Sequence, residues 1–124
     1  MPHIASADAP VFSIPGTTFI GLAAPSRGSK ENAVWRVRVD PGTPARVHQL
    51  TREEILIAAA GSAIASLEGR EIPVRAGDAL IVPAFAQFSL TNPYDVPFEA
   101  IAVLPVGARA IMEGGEPFLP PWSL

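Results

Sequence analysis

Cysteine is absent from the 124 residues, which excludes disulfide frameworks, thiolate zinc sites and thiol nucleophiles. Histidine is scarce, with only His3 and His48, so an imidazole-rich centre has almost nothing to draw on. Positive charge is not in excess: 9 Lys and Arg stand against 12 Asp and Glu, for a net charge of −3. That leaves no basic patch for a phosphate backbone, and no nucleic-acid partner is expected. Long apolar runs are missing too, and no window approaches the roughly 18 residues of a spanning helix. The opening "MPHIASADAPVFSIPG" lacks both a positively charged start and an unbroken apolar run. The expectation is a cytoplasmic protein with no membrane partner.

What the chain has in quantity is punctuation. It holds 14 prolines and 10 glycines among 48% hydrophobic residues, and these breakers recur between short apolar runs without helical spacing. The length fits one domain over residues 1–124, able to bury roughly two-thirds of its unfolded surface. "NAVWRVRV" (32–39) alternates around Arg36 and Arg38, and "DPGTP" supplies turn chemistry before "ARVHQL" begins. "EILIAAAGSAIASL" (54–67) is alanine-rich enough to suggest a helix. However, isoleucines lead it, Gly61 interrupts it, and Gly69 is placed for a hairpin turn, so strands are expected. "ALIVP", "QFSLTN" and "PFEAIAVLPV" extend the pattern. Short strands with frequent turns predict an all-β sandwich or barrel of about ten strands. Phe118, Leu119 and Trp122, in the proline-rich tail, are apolar enough to lie down on it.

Two segments resemble the motifs of the cupins. Gly42, His48, Glu54 and Gly61 fall at the spacing of the first motif (about 42–61), and Gly77, Pro83 and Asn92 at that of the second (about 77–92). The resemblance implies a double-stranded β-helix, a jelly-roll-like barrel of the small single-domain RmlC-like kind, often dimeric. It also implies a degenerate metal site. Metal-binding cupins use three histidines and a glutamate, whereas this chain places Leu50 and Phe88 at the second and third histidine positions. Phe85 stands where the motif has a glycine. His48 and Glu54 are two donors, fewer than the three protein ligands of a catalytic zinc or of a two-histidine, one-carboxylate iron site. No metal or other cofactor is expected, unless an N-terminal strand folds His3 over the barrel mouth.

Side-chain alternation describes the pocket instead. If His48 points inward, Arg46 and Leu50 do as well; Glu54 brings Leu56, and Phe88 brings Leu90. On the preceding strand, Trp35, Val37 and Val39 share the apolar face. The candidate ligand-binding set is therefore Trp35, Arg46, His48, Leu50, Glu54, Leu56, Phe88 and Leu90, an apolar lining with few polar groups. One reading makes His48 and Glu54 a hydrogen-bonded pair that satisfies itself inside the barrel. The other makes them a catalytic acid/base pair, since a carboxylate and burial act on an imidazole in opposite directions.

Two classes of function remain open on the sequence. One is a metal-independent module binding an unidentified small molecule. The other is a metal-free isomerase, epimerase, cyclase or lyase using His48 and Glu54, and a dioxygenase with a ligand borrowed from His3 stands behind both. Ile55, Ile57 and Ala59, opposite Glu54, make both faces of their strand apolar, which predicts a homodimer covering the outer one.

Overall fold

The computed structural model describes residues 2–124. Eleven strands run as β1 (Val11–Ile14), β2 (Thr17–Ala23), β3 (Asn32–Val39), β4 (His48–Leu50), β5 (Glu54–Ala60), β6 (Ser62–Leu67), β7 (Arg70–Arg75), β8 (Ala79–Val82), β9 (Phe88–Thr91), β10 (Phe98–Pro105) and β11 (Ala110–Met112). The only helical pieces among the described residues are three-residue 3₁₀ turns. The strands form two antiparallel sheets, ordered β1-β2-β3-β10-β5-β8 and β11-β4-β9-β6-β7. This is the all-β architecture that the turn spacing predicts, in the jelly-roll form that the family resemblance implies.

Local chemistry accounts for the strands. In β3, Ala33, Trp35, Val37 and Val39 are buried while Arg38 is exposed, the period-2 pattern of a strand with one wet face. Arg38 meets Asp40 at 3.3 Å, an exposed ion pair that contributes at most about 1 kcal/mol. The alanine-rich segment is two strands separated by Gly61, whose φ is +72°. A Cβ at Gly61 would collide with the Pro97 carbonyl oxygen, so a helix-favouring composition yields to a close backbone crossing. The β6–β7 hairpin turns on Glu68 and Gly69, with φ of +52° and +78°, the left-handed conformations that a two-residue type I′ turn requires.

The core lies between the sheets. Its central layer is β10, which pairs with β3 on one side and β5 on the other and buries Ala100, Ala102 and Leu104. Asn92, just past β9 and 0% exposed, ties the end of β3 to the following loop. Its Nδ2 donates to the carbonyls of Val39 (3.0 Å) and Val96 (2.8 Å), and its Oδ1 accepts from the Tyr94 N–H (3.0 Å). The two sheets end differently at one side. The outermost strand β7 carries Arg70, Glu71, Pro73 and Arg75, whereas the outermost β8 reads Ala-Leu-Ile-Val.

Candidate functional site

Between the sheets opens a cavity of about 150 Å³. Trp35, Arg46, His48, Leu50, Glu54, Leu56, Phe88 and Leu90 all line it, so alternation along the strands brings the whole expected set to one place. Other walls carry no sequence motif. β1 and β2 contribute Ile14, Thr17 and Phe19, β11 contributes Met112, and the tail contributes Phe118, Pro120 and Trp122. Trp122 stacks on Phe19, centroids 3.7 Å apart and planes within 1°, and meets Trp35 edge-on at 6.4 Å. The tail is seated by reciprocal backbone hydrogen bonds between Ala110 and Phe118, at 2.8 and 2.9 Å, and by fully buried Pro120. Ile14, Met112 and Phe118 are partly exposed and still line the cavity, giving it an apolar rim.

The two polar side chains at the centre of the sequence reading belong to different sheets. His48 opens β4 in the five-stranded sheet, and Glu54 opens β5 in the six-stranded one. No hydrogen bond or ion pair joins them. The expectation of a mutually satisfied pair is therefore corrected: the three residues between β4 and β5 carry the chain from one sheet to the other, so the ring and the carboxyl are set apart.

Each has its own surroundings. His48 Nδ1 lies 2.9 Å from the Arg46 carbonyl oxygen, and its ring meets Phe88 edge-on at 5.5 Å. Burial lowers its pKa below the ordinary 6.5, and the hydrogen bond to Arg46 only partly offsets this; the ring is neutral at pH 7. Glu54 is 5% exposed, lines the cavity, and has no hydrogen bond that acts on its acidity. Burial alone raises its pKa from 4.5 to about 8, because a carboxylate stripped of water is far costlier than the neutral acid. At neutral pH the cavity thus holds a carboxylic acid and a neutral imidazole. Arg46 turns its guanidinium to the Pro15 carbonyl at 2.5 Å, bracing the loop before β2.

The donor set does not fit a metal centre of the kind the family motif supports. Leu50 and Phe88 are buried, apolar, and occupy the cavity wall. His3 is exposed and lies outside that wall, so it adds no third ligand. Among the described residues no three His, Cys, Asp or Glu side chains are grouped to hold an ion. No helix is long and apolar enough to cross a membrane.

The remaining motif residues shape backbone. Gly77 takes φ +95°, and Asp78 Oδ2 accepts from the Arg75 N–H at 2.9 Å, closing a turn. Phe85, at the motif's glycine position, adopts φ +65°. A non-glycine residue is strained there, and the backbone is held by the Phe85 N–H donating to the Leu50 carbonyl (2.7 Å) and by Gln49 Nε2 donating to the Phe85 carbonyl (2.7 Å).

Comparison with known proteins places this architecture. The cupin domain family matches residues 35–104. No curated protein matches the chain in sequence. Among solved structures, the polyketide cyclase RemF from Streptomyces resistomycificus is similar with a TM-score of 0.80 at 18% identity, covering 98% of this chain and 88% of that one. A sugar phosphate isomerase of the cupin superfamily from Silicibacter pomeroyi gives 0.66 at 22% identity, over 79% of this chain and 66% of that one. An RmlC-like cupin from Shewanella frigidimarina gives 0.71 at 16% identity, over 82% and 87%. At these identities the likeness is one of fold; the family match, which spans more than half of the chain, makes it a member of the cupin domain family.

Proposed function

We propose that this cupin binds a small, flat, largely apolar molecule in its barrel without a metal ion. The observation that carries the reading is the wall itself: Phe19, Trp35, Phe88, Phe118 and Trp122 surround the space together with aliphatic side chains. A cavity of about 150 Å³ is the scale that accepts a benzene-sized ring, and the apolar rim lets a longer molecule extend outward. Two donors where three or four are needed argue against a bound ion as the organising element. The test is thermal melting of the purified protein with naphthalene and, separately, with Fe(II), Mn(II), Ni(II) or Zn(II). The aromatic probe raises Tm and the metals leave it unchanged, since only a species that binds the native state stabilises it. A rise of several degrees with one metal, abolished in His48→Ala, overturns the metal-free reading.

A second reading is favoured by Glu54: a metal-free isomerase, epimerase, cyclase or lyase. Near pH 7 its buried acid holds a proton while His48 is free to take one, so the cavity pairs a general acid with a general base whose surroundings push them in opposite directions. The polyketide cyclase and the sugar phosphate isomerase show the same fold in enzymes. Loss of the α-proton signal of 1-tetralone in D₂O, faster with the protein than without and abolished in Glu54→Gln, is the outcome expected of an enzyme. Exchange at the buffer rate counts against it.

The chain is further proposed to act as a homodimer. Ile57 is 42% and Ile81 58% exposed, and Ile55, Ile101 and Val103 adjoin them in register on the outer face of the six-stranded sheet. Neither the N-terminal strands, which extend the same sheet, nor the tail, which faces the cavity, covers this patch. Light scattering at micromolar concentration should give twice the chain mass; a monomer mass refutes the dimer.

A further inference from the structure

The proposed small-molecule site can be given a ligand class, an inference that rests on that reading. The Arg46 carbonyl can only accept a hydrogen bond, so its partner, His48 Nδ1 at 2.9 Å, carries the proton. In the neutral ring the other nitrogen, Nε2, is then an acceptor. It has no partner among the described residues, and the edge-on contact with Phe88 limits how far the ring can turn to find one. The cavity therefore offers a fixed lone pair within an aromatic enclosure. A ligand without a hydroxyl or N–H leaves that acceptor stripped of water and unpaired, whereas one with a donor at its edge satisfies it.

The enclosure has a second fixed part. Trp122 is held face to face by Phe19 and edge-on by Trp35, so the orientation of its indole is set before any ligand arrives. Phe19 and Trp122 both lie outside residues 35–104, the part of the chain matched by the family. The surface that discriminates among ring shapes thus lies on the N-terminal strands and the tail, beyond the stretch that carries the family motifs.

We infer that the ligand is a hydroxylated aromatic molecule whose hydroxyl donates to His48 Nε2 and whose ring lies in the aromatic enclosure, with Trp122 as the specificity-determining residue. No covalent step is involved. Hydrogen bonding at a desolvated acceptor discriminates more strongly than apolar contact alone, so the two parts have separable signatures.

The test uses the full chain and two fluorescent probes that share one ring system, 2-naphthol and naphthalene. In the wild-type protein 2-naphthol binds about tenfold more tightly. In His48→Leu the two affinities converge. In Trp122→Ala both probes weaken by at least about tenfold, and Trp122→Phe recovers most of the loss. If Trp122→Ala fails to fold, Trp122→Phe combined with nuclear Overhauser contacts between 2-naphthol and the Trp122 ring in the wild-type protein decides the same question. Equal affinities of the two probes for the wild-type protein overturn the hydroxyl assignment while leaving the small-molecule reading intact. Unchanged binding in Trp122→Ala, or the absence of those contacts, overturns the role of Trp122. Failure of both probes to bind overturns the small-molecule reading and this inference with it.

Discussion

Asn92 and Glu54 are both motif residues, both buried and both polar, yet the molecule treats them oppositely. Asn92 sits in the loop after β9 with its amide donating to two carbonyls and accepting from one N–H. Glu54 sits at the cavity wall, bonded to no other described side chain, its acidity set by burial alone. A buried polar group that is satisfied holds the fold together, and one left unsatisfied costs stability that the rest of the fold must supply. The difference separates residues that build the barrel from residues that equip it, a distinction that motif spacing does not make.

The sharpest way to break this contrast is to charge the satisfied residue. Asn92→Asp sets a carboxylate against the Val39 and Val96 carbonyls, and urea unfolding at pH 7 is expected to show a loss of about 4 kcal/mol. The reverse change neutralises the unsatisfied residue. The unfolded Glu54 carboxyl loses its proton near 4.5 while the folded one keeps it to about 8. The wild-type protein is therefore most stable below pH 4.5 with respect to this group, and loses stability as pH rises from 4.5 to 8. Glu54→Gln removes that slope, leaving the variant more stable than the wild type by about 5 kcal/mol at pH 9 and nearly equal to it at pH 4.

His48 sharpens the comparison from the acid side. Its folded pKa lies below the 6.5 of the unfolded chain, so its contribution is full above pH 6.5 and falls as pH drops below that value. His48→Gln should flatten this limb, read as the slope of unfolding free energy against pH on the acid side of 6.5. Phe85→Gly relieves a left-handed backbone at a side chain that is 55% exposed. It should stabilise by about 0.5 kcal/mol, the relief being partly offset by glycine's greater unfolded-state freedom. Finally, because no bond joins His48 to Glu54, the coupling between His48→Leu and Glu54→Leu at pH 7 should stay below about 1 kcal/mol, the small remainder expected of two groups that share only a cavity wall. A larger coupling would restore the pair.

The strands from β3 to β10 were legible because their side chains alternate or their turns are marked by Gly61, Gly69 and Gly77. β1 and β2 were not, since Pro15 and Gly16 interrupt the stretch and their burial shows no clean alternation. β11 is three residues long and leaves no period to read. The cavity residues of the motif strands could be found from the inward side of each strand. Trp122 and Phe19 could not: the tail has no regular backbone, and the stacking that unites them spans the length of the chain. The separation of His48 from Glu54 was hidden for a related reason. Six residues suggest neighbours on adjoining strands, and nothing in Thr51, Arg52 or Glu53 announces a crossing between sheets.

The unequal outermost strands bear on how the protein behaves when crowded. β7, with a proline that cannot donate and three charges, rejects an incoming strand from another chain. β8 presents four uncharged residues, with Ile81 exposed, and only Pro83 beyond its end interrupts the open backbone. It is the one of these two borders at which a foreign strand can continue the ladder. Aggregation at high concentration should therefore start at β8, and a single lysine at Ile81 should suppress it without touching the cavity, while also charging the face proposed for the dimer.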